Sequence, residues 1–151
     1  MFNKFKIIIY IFIIFIYLFV FSCEPTKIHN KETCEMDRKQ LETIARIKFP
    51  SSVYDIKNYT VTGMDQLLMV RFIIHADDIH LFINDSGFKD HLKKNFRPFV
   101  NDYGIGLDWW EIDKLKKVFG TVQYYEDGSC RSALIEDSNS ETVNVYIVIQ
   151  R

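Results

Sequence analysis

Apolar and polar positions divide the chain into three stretches. Ile7–Phe21 is unbroken apolar. Glu24–Glu32 (EPTKIHNKE) has no apolar period. From Thr33 onward the pattern becomes periodic. Leu41, Ile44 and Ala45 fall at i, i+3 and i+4 with Lys and Arg opposite, which predicts a helix over Thr33–Lys48. Thr33 suits its N-cap and Glu35 its first turn. Pro50 ends it, because the residue before proline is pushed toward extended geometry.

Two strands are predicted next. Val53–Val61 is rich in β-branched residues and Tyr, and Gln66–Ile74 is apolar enough to be central with both faces covered. Thr62-Gly63-Met64-Asp65 between them suits a hairpin turn. Asp77–Ser86 reads as a short helix capped by Asp77, with Ile79, Phe82 and Ile83 on one face and Gly87 as its stop. Phe88–Gly106 is less regular, with room for a short helix near Lys89–Asn95. Asp108-Trp109-Trp110-Glu111 has capping-box spacing and predicts a helix with Ile112, Leu115 and Phe119 on one face and Gly120 as its stop. Thr121–Tyr125, Cys130–Glu136 and Thr142–Gln150 read as strands. In the last of them Val143, Val145, Ile147 and Ile149 share a face at period two. Connections this short favour antiparallel neighbours. The expected fold is therefore α+β: an antiparallel sheet of about five strands with helices packed mainly on one face.

The amino end carries Lys4 and Lys6 ahead of the apolar run. At about 1.5 Å per residue that run reaches about 22 Å, short for a bilayer core of about 30 Å. It has the length and flanks of a signal-peptide core, with the basic end kept in the cytoplasm and the rest exported. Val20-Phe21-Ser22-Cys23 closes the run and resembles the bacterial lipobox, with aliphatic Val20 and small Ser22 in place. The resemblance implies that Cys23 takes a diacylglyceryl group and becomes the first mature residue. An ordinary signal or an uncleaved anchor is the alternative. On this reading residues 1–22 are a lipoprotein-type signal peptide, 23–32 a tether and 33–151 a single α+β domain. Phe49-Pro50-Ser51-Ser52, Gly63-Met64-Asp65, Arg71-Phe72 and Trp109-Trp110 make that domain faintly similar to small uncharacterised bacterial lipoproteins. The similarity brings no activity with it.

Charge and cysteine count sharpen this picture. The whole chain has a net charge of −1. Loss of Lys4 and Lys6 from 19 basic residues leaves 17 against 20 acidic ones, a net charge of −3. Nucleic-acid binders show a basic excess, so no nucleic-acid partner is expected. Lys89, Lys93, Lys94, Arg97, Lys114, Lys116 and Lys117 form a locally basic stretch, read as a solvated face near lipid head groups. With Cys23 acylated, Cys34 and Cys130 remain in an oxidising compartment, where they form a candidate disulfide. Two unpaired thiols are the alternative.

Candidate chemistry is sparse. His75-Ala76-Asp77-Asp78-Ile79-His80 is the one metal-like cluster, but its histidines are not at i, i+4 and its aspartates suit a helix start, so no metal or cofactor is expected. Gly104-Ile105-Gly106 lacks the third glycine of a phosphate loop. No nucleophile elbow or triad is recognisable, which disfavours an enzyme. Trp109 and Trp110 are the candidate partner-binding residues, since adjacent positions at a helix start face different ways. The expectation is a non-catalytic binding domain held to the bacterial cell membrane or outer membrane through acylated Cys23. Its domain lies on the exported side and meets an envelope protein or glycan. A tethered inhibitor or immunity-type protein is the alternative, and an envelope enzyme ranks third.

Overall fold

Asp37 starts the first helix, α1 (Arg38–Ala45), in a computed structural model that describes residues 36–61, 66–99, 103, 106–138 and 140–151. The Asp37 carboxylate accepts from the Gln40 N–H at 2.8 Å, and the Gln40 side-chain carbonyl accepts from the Asp37 N–H at 3.0 Å. This reciprocal pair satisfies two donors that a helix start leaves free. The helix is thus shorter than its apolar period suggested. Thr33, its expected cap, lies outside the described residues. The chain leaves α1 through Arg46, whose φ of 52° is left-handed.

β1 (Tyr54–Val61) and β2 (Leu67–His75) pair antiparallel from Lys57↔Arg71 to Val61↔Leu67, as the hairpin pattern requires. The expected turn at 62–65 lies outside the described residues. A 3-10 turn (Ala76–Asp78) then leads into α2 (Ile79–Asp85). Asp77 does not cap it; neither segment has a side-chain cap. Asp78 instead accepts from the Ser52 hydroxyl at 2.5 Å, and Ser52 accepts from the His75 N–H at 3.2 Å. Local hydrogen bonding across the β2 end has outcompeted the cap.

The remaining strands are β3 (Lys93–Lys94), β4 (Val118–Tyr124), β5 (Cys130–Glu136) and β6 (Thr142–Gln150). One antiparallel sheet results, in the order β1-β2-β6-β5-β4-β3. It has six strands, where about five were expected. The extra one is β3, which replaces the short helix expected near Lys89–Asn95. The helix expected after Asp108 is also absent; that stretch holds only a 3-10 turn at Ile112–Lys114. Phe119 and Gly120 belong to β4. Gly120 is no helix stop: a Cβ there would collide with the Phe96 carbonyl and the Pro98 ring. The glycine lets the chain after β3 lie directly against the sheet.

Period two sorts the sheet residues into two clusters. Leu68, Val70, Phe72 and Ile74 of β2 join Val143, Val145, Ile147 and Ile149 of β6, with Leu41 and Ala45 from α1 and Phe82 and Ile83 from α2. Met69, Leu134, Tyr146 and Val148 join Phe99, Trp110, Ile112 and Val118 in the second. The central strands β2 and β6 feed both clusters, so each carries a near-continuous apolar sequence. Irregular chain between β3 and β4 supplies the cover that the absent helix was expected to provide.

Candidate functional site

Arg131, one residue into β5, is 1% exposed. By period two it shares a side of β5 with Ala133 and Ile135, both of the first cluster. Its guanidinium donates to the Ser86 carbonyl at 2.8 Å and to the Arg46 carbonyl. Arg46 and Ser86 are the C-cap residues of α1 and α2. Two helix C-termini, where carbonyls lack intrahelical donors and the dipole is negative, therefore converge on one cation. Phe88 stacks on the guanidinium with 3.9 Å from its central carbon to the ring centroid. Burial lowers the Arg131 pKa. Among the described residues its Nε has no hydrogen-bond partner.

Beside this anchor lies a cleft of about 420 Å³ whose lining includes Arg46, Lys89, Gln123, Tyr124, Tyr125 and Asp127. Its wall is the β4–β5 turn. The Tyr125 N–H donates to the Ser129 carbonyl at 3.0 Å, and the Gly128 N–H to the Tyr125 carbonyl at 3.1 Å. Gly128 has φ of 82°, which glycine adopts without strain. Asp127 accepts from the Ser129 hydroxyl, from the Ser129 N–H at 3.0 Å and from Arg46 at 3.2 Å. The Ser129 hydroxyl, then its N–H, then Arg46 hold the Asp127 carboxyl down at about 2. The Arg46 guanidinium also lies 4.3 Å from the Tyr125 ring centroid. Gln123 accepts from the Lys89 N–H at 3.1 Å and donates to the Tyr124 carbonyl at 3.0 Å. Tyr124 stands 73% exposed at the rim.

The cleft thus offers an aromatic surface, planar donors and acceptors already oriented by one another, and charges of both signs. That set suits recognition of a polar ligand.

The residues expected to carry function are distributed otherwise. Trp110 is buried, 5.8 Å from Phe99 and 5.2 Å from Tyr146 between ring centroids. Trp109 is half-buried and meets Trp110 edge-on at 5.7 Å. Both belong to the cover over the second cluster, so Trp110 is core and only Trp109 retains a partly open face. Cys130 is half-buried, bridges no other cysteine among the described residues, and has its thiol pKa raised by burial. Cys23 and Cys34 lie outside the described residues. His75 is exposed at the end of β2. His80 instead shares a smaller cleft of about 290 Å³ with Asn84, Asp90 and His91. Among the described residues no three His, Cys, Asp or Glu side chains come together as metal ligands. Gly106 has φ of 83°, while 104–105 are not described.

Sequence reasoning missed Arg46, Tyr124, Tyr125, Asp127 and Arg131. The one available signal was two tyrosines beside the turn Glu126-Asp127-Gly128-Ser129. Nothing local to Arg131 announces that helix ends distant in sequence will meet it.

The described residues form an α+β fold built on a single antiparallel sheet of six strands. No family model, no curated protein and no solved structure matches the chain. Among the described residues no helix is long and apolar enough to cross a membrane.

Proposed function

We propose that this chain is an exported lipoprotein, held to a bacterial membrane through acylated Cys23, whose domain binds an envelope component in the cleft beside the β4–β5 turn. In this reading both helices form a layer on the sheet face that carries Arg131, which brings their C-terminal ends to the cleft. The observation that carries the proposal is the preorganised wall Gln123–Asp127. Its Gln123 and Asp127 side chains are fixed by hydrogen bonds from Lys89, Arg46 and Ser129, while Tyr124 stands 73% exposed. Fixing polar groups before binding removes much of the ordering cost that otherwise weakens association. The membrane half rests on the basic end, the apolar run and Val20-Phe21-Ser22-Cys23. The Arg46–Asp127 ion pair in the cleft favours binding over catalysis, because it commits those two charges to each other.

The test places a photo-crosslinking residue at Tyr124 of the full chain in living cells, with Lys39 on α1 as the comparison site. Position 124 is expected to capture an envelope component that Lys39 does not. Equal capture at both positions refutes the cleft. Labelled palmitate should enter the wild type and not Cys23→Ser; absence of label in the wild type refutes the anchor.

A further inference from the structure

The basic stretch of the sequence becomes one edge of the sheet. Lys94 of β3 pairs with Phe119, and the Asn95 N–H donates to the Val118 carbonyl at 2.7 Å. Lys117, immediately before β4, accepts from the Asp137 N–H at 2.9 Å through its carbonyl, and Lys94 reaches the Asp137 carboxylate, which brings Lys116 and Lys117 to the same end of β4 as Lys94. All four are exposed. Of the four, only Lys94 reaches a described carboxylate, Asp137 at 3.8 Å, and its side chain remains 65% exposed. The neighbouring Lys114 is neutralised by Glu111 at 2.6 Å, and Arg97 is spent on the Ile112 and Leu115 carbonyls.

We infer that this lysine edge, Lys93, Lys94, Lys116 and Lys117, is a docking surface for the anionic head groups of a phospholipid membrane. The inference rests on the anchored reading of the amino end. Lysines on an edge strand also discourage edge-to-edge aggregation, but that role needs only β3 itself. Lys116 and Lys117 precede the neighbouring strand and double the charge without protecting the edge. The concentration of positive charge runs against a mature chain of net −3 on the anchored reading. The occupant follows from the tether. Fourteen residues join Cys23 to Arg38 and span at most about 50 Å when fully extended. A domain held that close meets the head groups repeatedly, and lysines within a Debye length of about 8 Å of an anionic surface are drawn to it. A single-stranded nucleic acid would need exposed rings for its bases, yet Phe96 beside the lysines is only half exposed and already faces Lys93 at 5.6 Å.

Reconstitution of the full chain into vesicles tests this surface whether the amino end is acylated or keeps its apolar run, so its failure is read apart from failure of lipidation. Amine acylation is followed lysine by lysine on phosphatidylcholine vesicles and on vesicles mixed with phosphatidylglycerol. Phosphatidylglycerol should slow labelling of Lys93, Lys94, Lys116 and Lys117 by about threefold or more at low salt, and high salt should abolish the protection. Lys39 and Lys48 should label equally on both. The double variant Lys116→Glu, Lys117→Glu should lose the protection at Lys93 and Lys94. Equal labelling on the two vesicle types overturns the inference. Equal protection by an oligonucleotide without vesicles also overturns it, in favour of a nucleic-acid surface.

Discussion

Burying Arg131 strips a guanidinium of water, and the carbonyls of Arg46 and Ser86 take water's place. The exchange is favourable because both carbonyls end helices and would otherwise lack donors. Arg131→Met keeps much of the volume and removes both donors. Each buried acceptor left alone costs about 1–3 kcal/mol, so the variant should be less stable by about 2 kcal/mol or more in urea unfolding. An unchanged midpoint would mean that the helix ends find donors elsewhere. Gly120 presents the opposite problem, space rather than polarity. Gly120→Ala would push a methyl group into the Phe96 carbonyl and the Pro98 ring. Overpacking of this kind costs about 1–3 kcal/mol, and thermal melting should show the loss. A neutral Gly120→Ala would place the chain after β3 farther from the sheet.

Strands were legible wherever alternation was long and uninterrupted. β6 falls at Thr142–Gln150, where period two placed it, and β5 falls at Cys130–Glu136, also as expected. Ile147, fully buried in the middle of β6, should therefore lose about 2–5 kcal/mol as Ile147→Ala, measured by denaturant unfolding. Ile112, Leu115 and Phe119 misled for a physical reason: three apolar residues at helical spacing equally well pin an irregular chain to a flat sheet. Here Ile112 and Leu115 serve the second cluster and Phe119 packs on the first, so the spacing never described one helix face. The cleft was barely legible, because its members come from the end of α1, the chain after α2 and the β4–β5 turn. That turn makes its own prediction. A carboxyl held at about 2 when folded, against about 3.9 when unfolded, stabilises the fold above the unfolded value. The contribution fades as pH falls from about 4 to about 2. Asp127→Asn should lower the melting temperature at neutral pH, and the gap to wild type should close near pH 2. A gap independent of pH would assign the effect to shape rather than charge.

At the scale of the whole molecule, the three cysteines connect the proposed membrane attachment to the proposed covalent structure. Cys23 ends the apolar run and takes the lipid in that proposal. Cys34 lies just ahead of α1, and Cys130 opens β5 beside Gln150 of β6. A bridge between Cys34 and Cys130 would close a loop of about 95 residues, tie the approach to α1 to the centre of the sheet, and add about 2–4 kcal/mol by restricting the unfolded chain. Burial raises the Cys130 thiol, so it reacts slowly in the native state, and counting must follow denaturation. The full chain is taken from the envelope, denatured without reductant and titrated. Lipid on Cys23 together with the bridge leaves no free thiol. One free thiol that maps to Cys23 keeps the bridge and removes the lipid. Two, at Cys34 and Cys130, keep the lipid and remove the bridge, and three remove both. The expected count is zero. Peptide mapping separates the two attachments because acylated Cys23 stays blocked after reduction whereas the bridged pair becomes reactive.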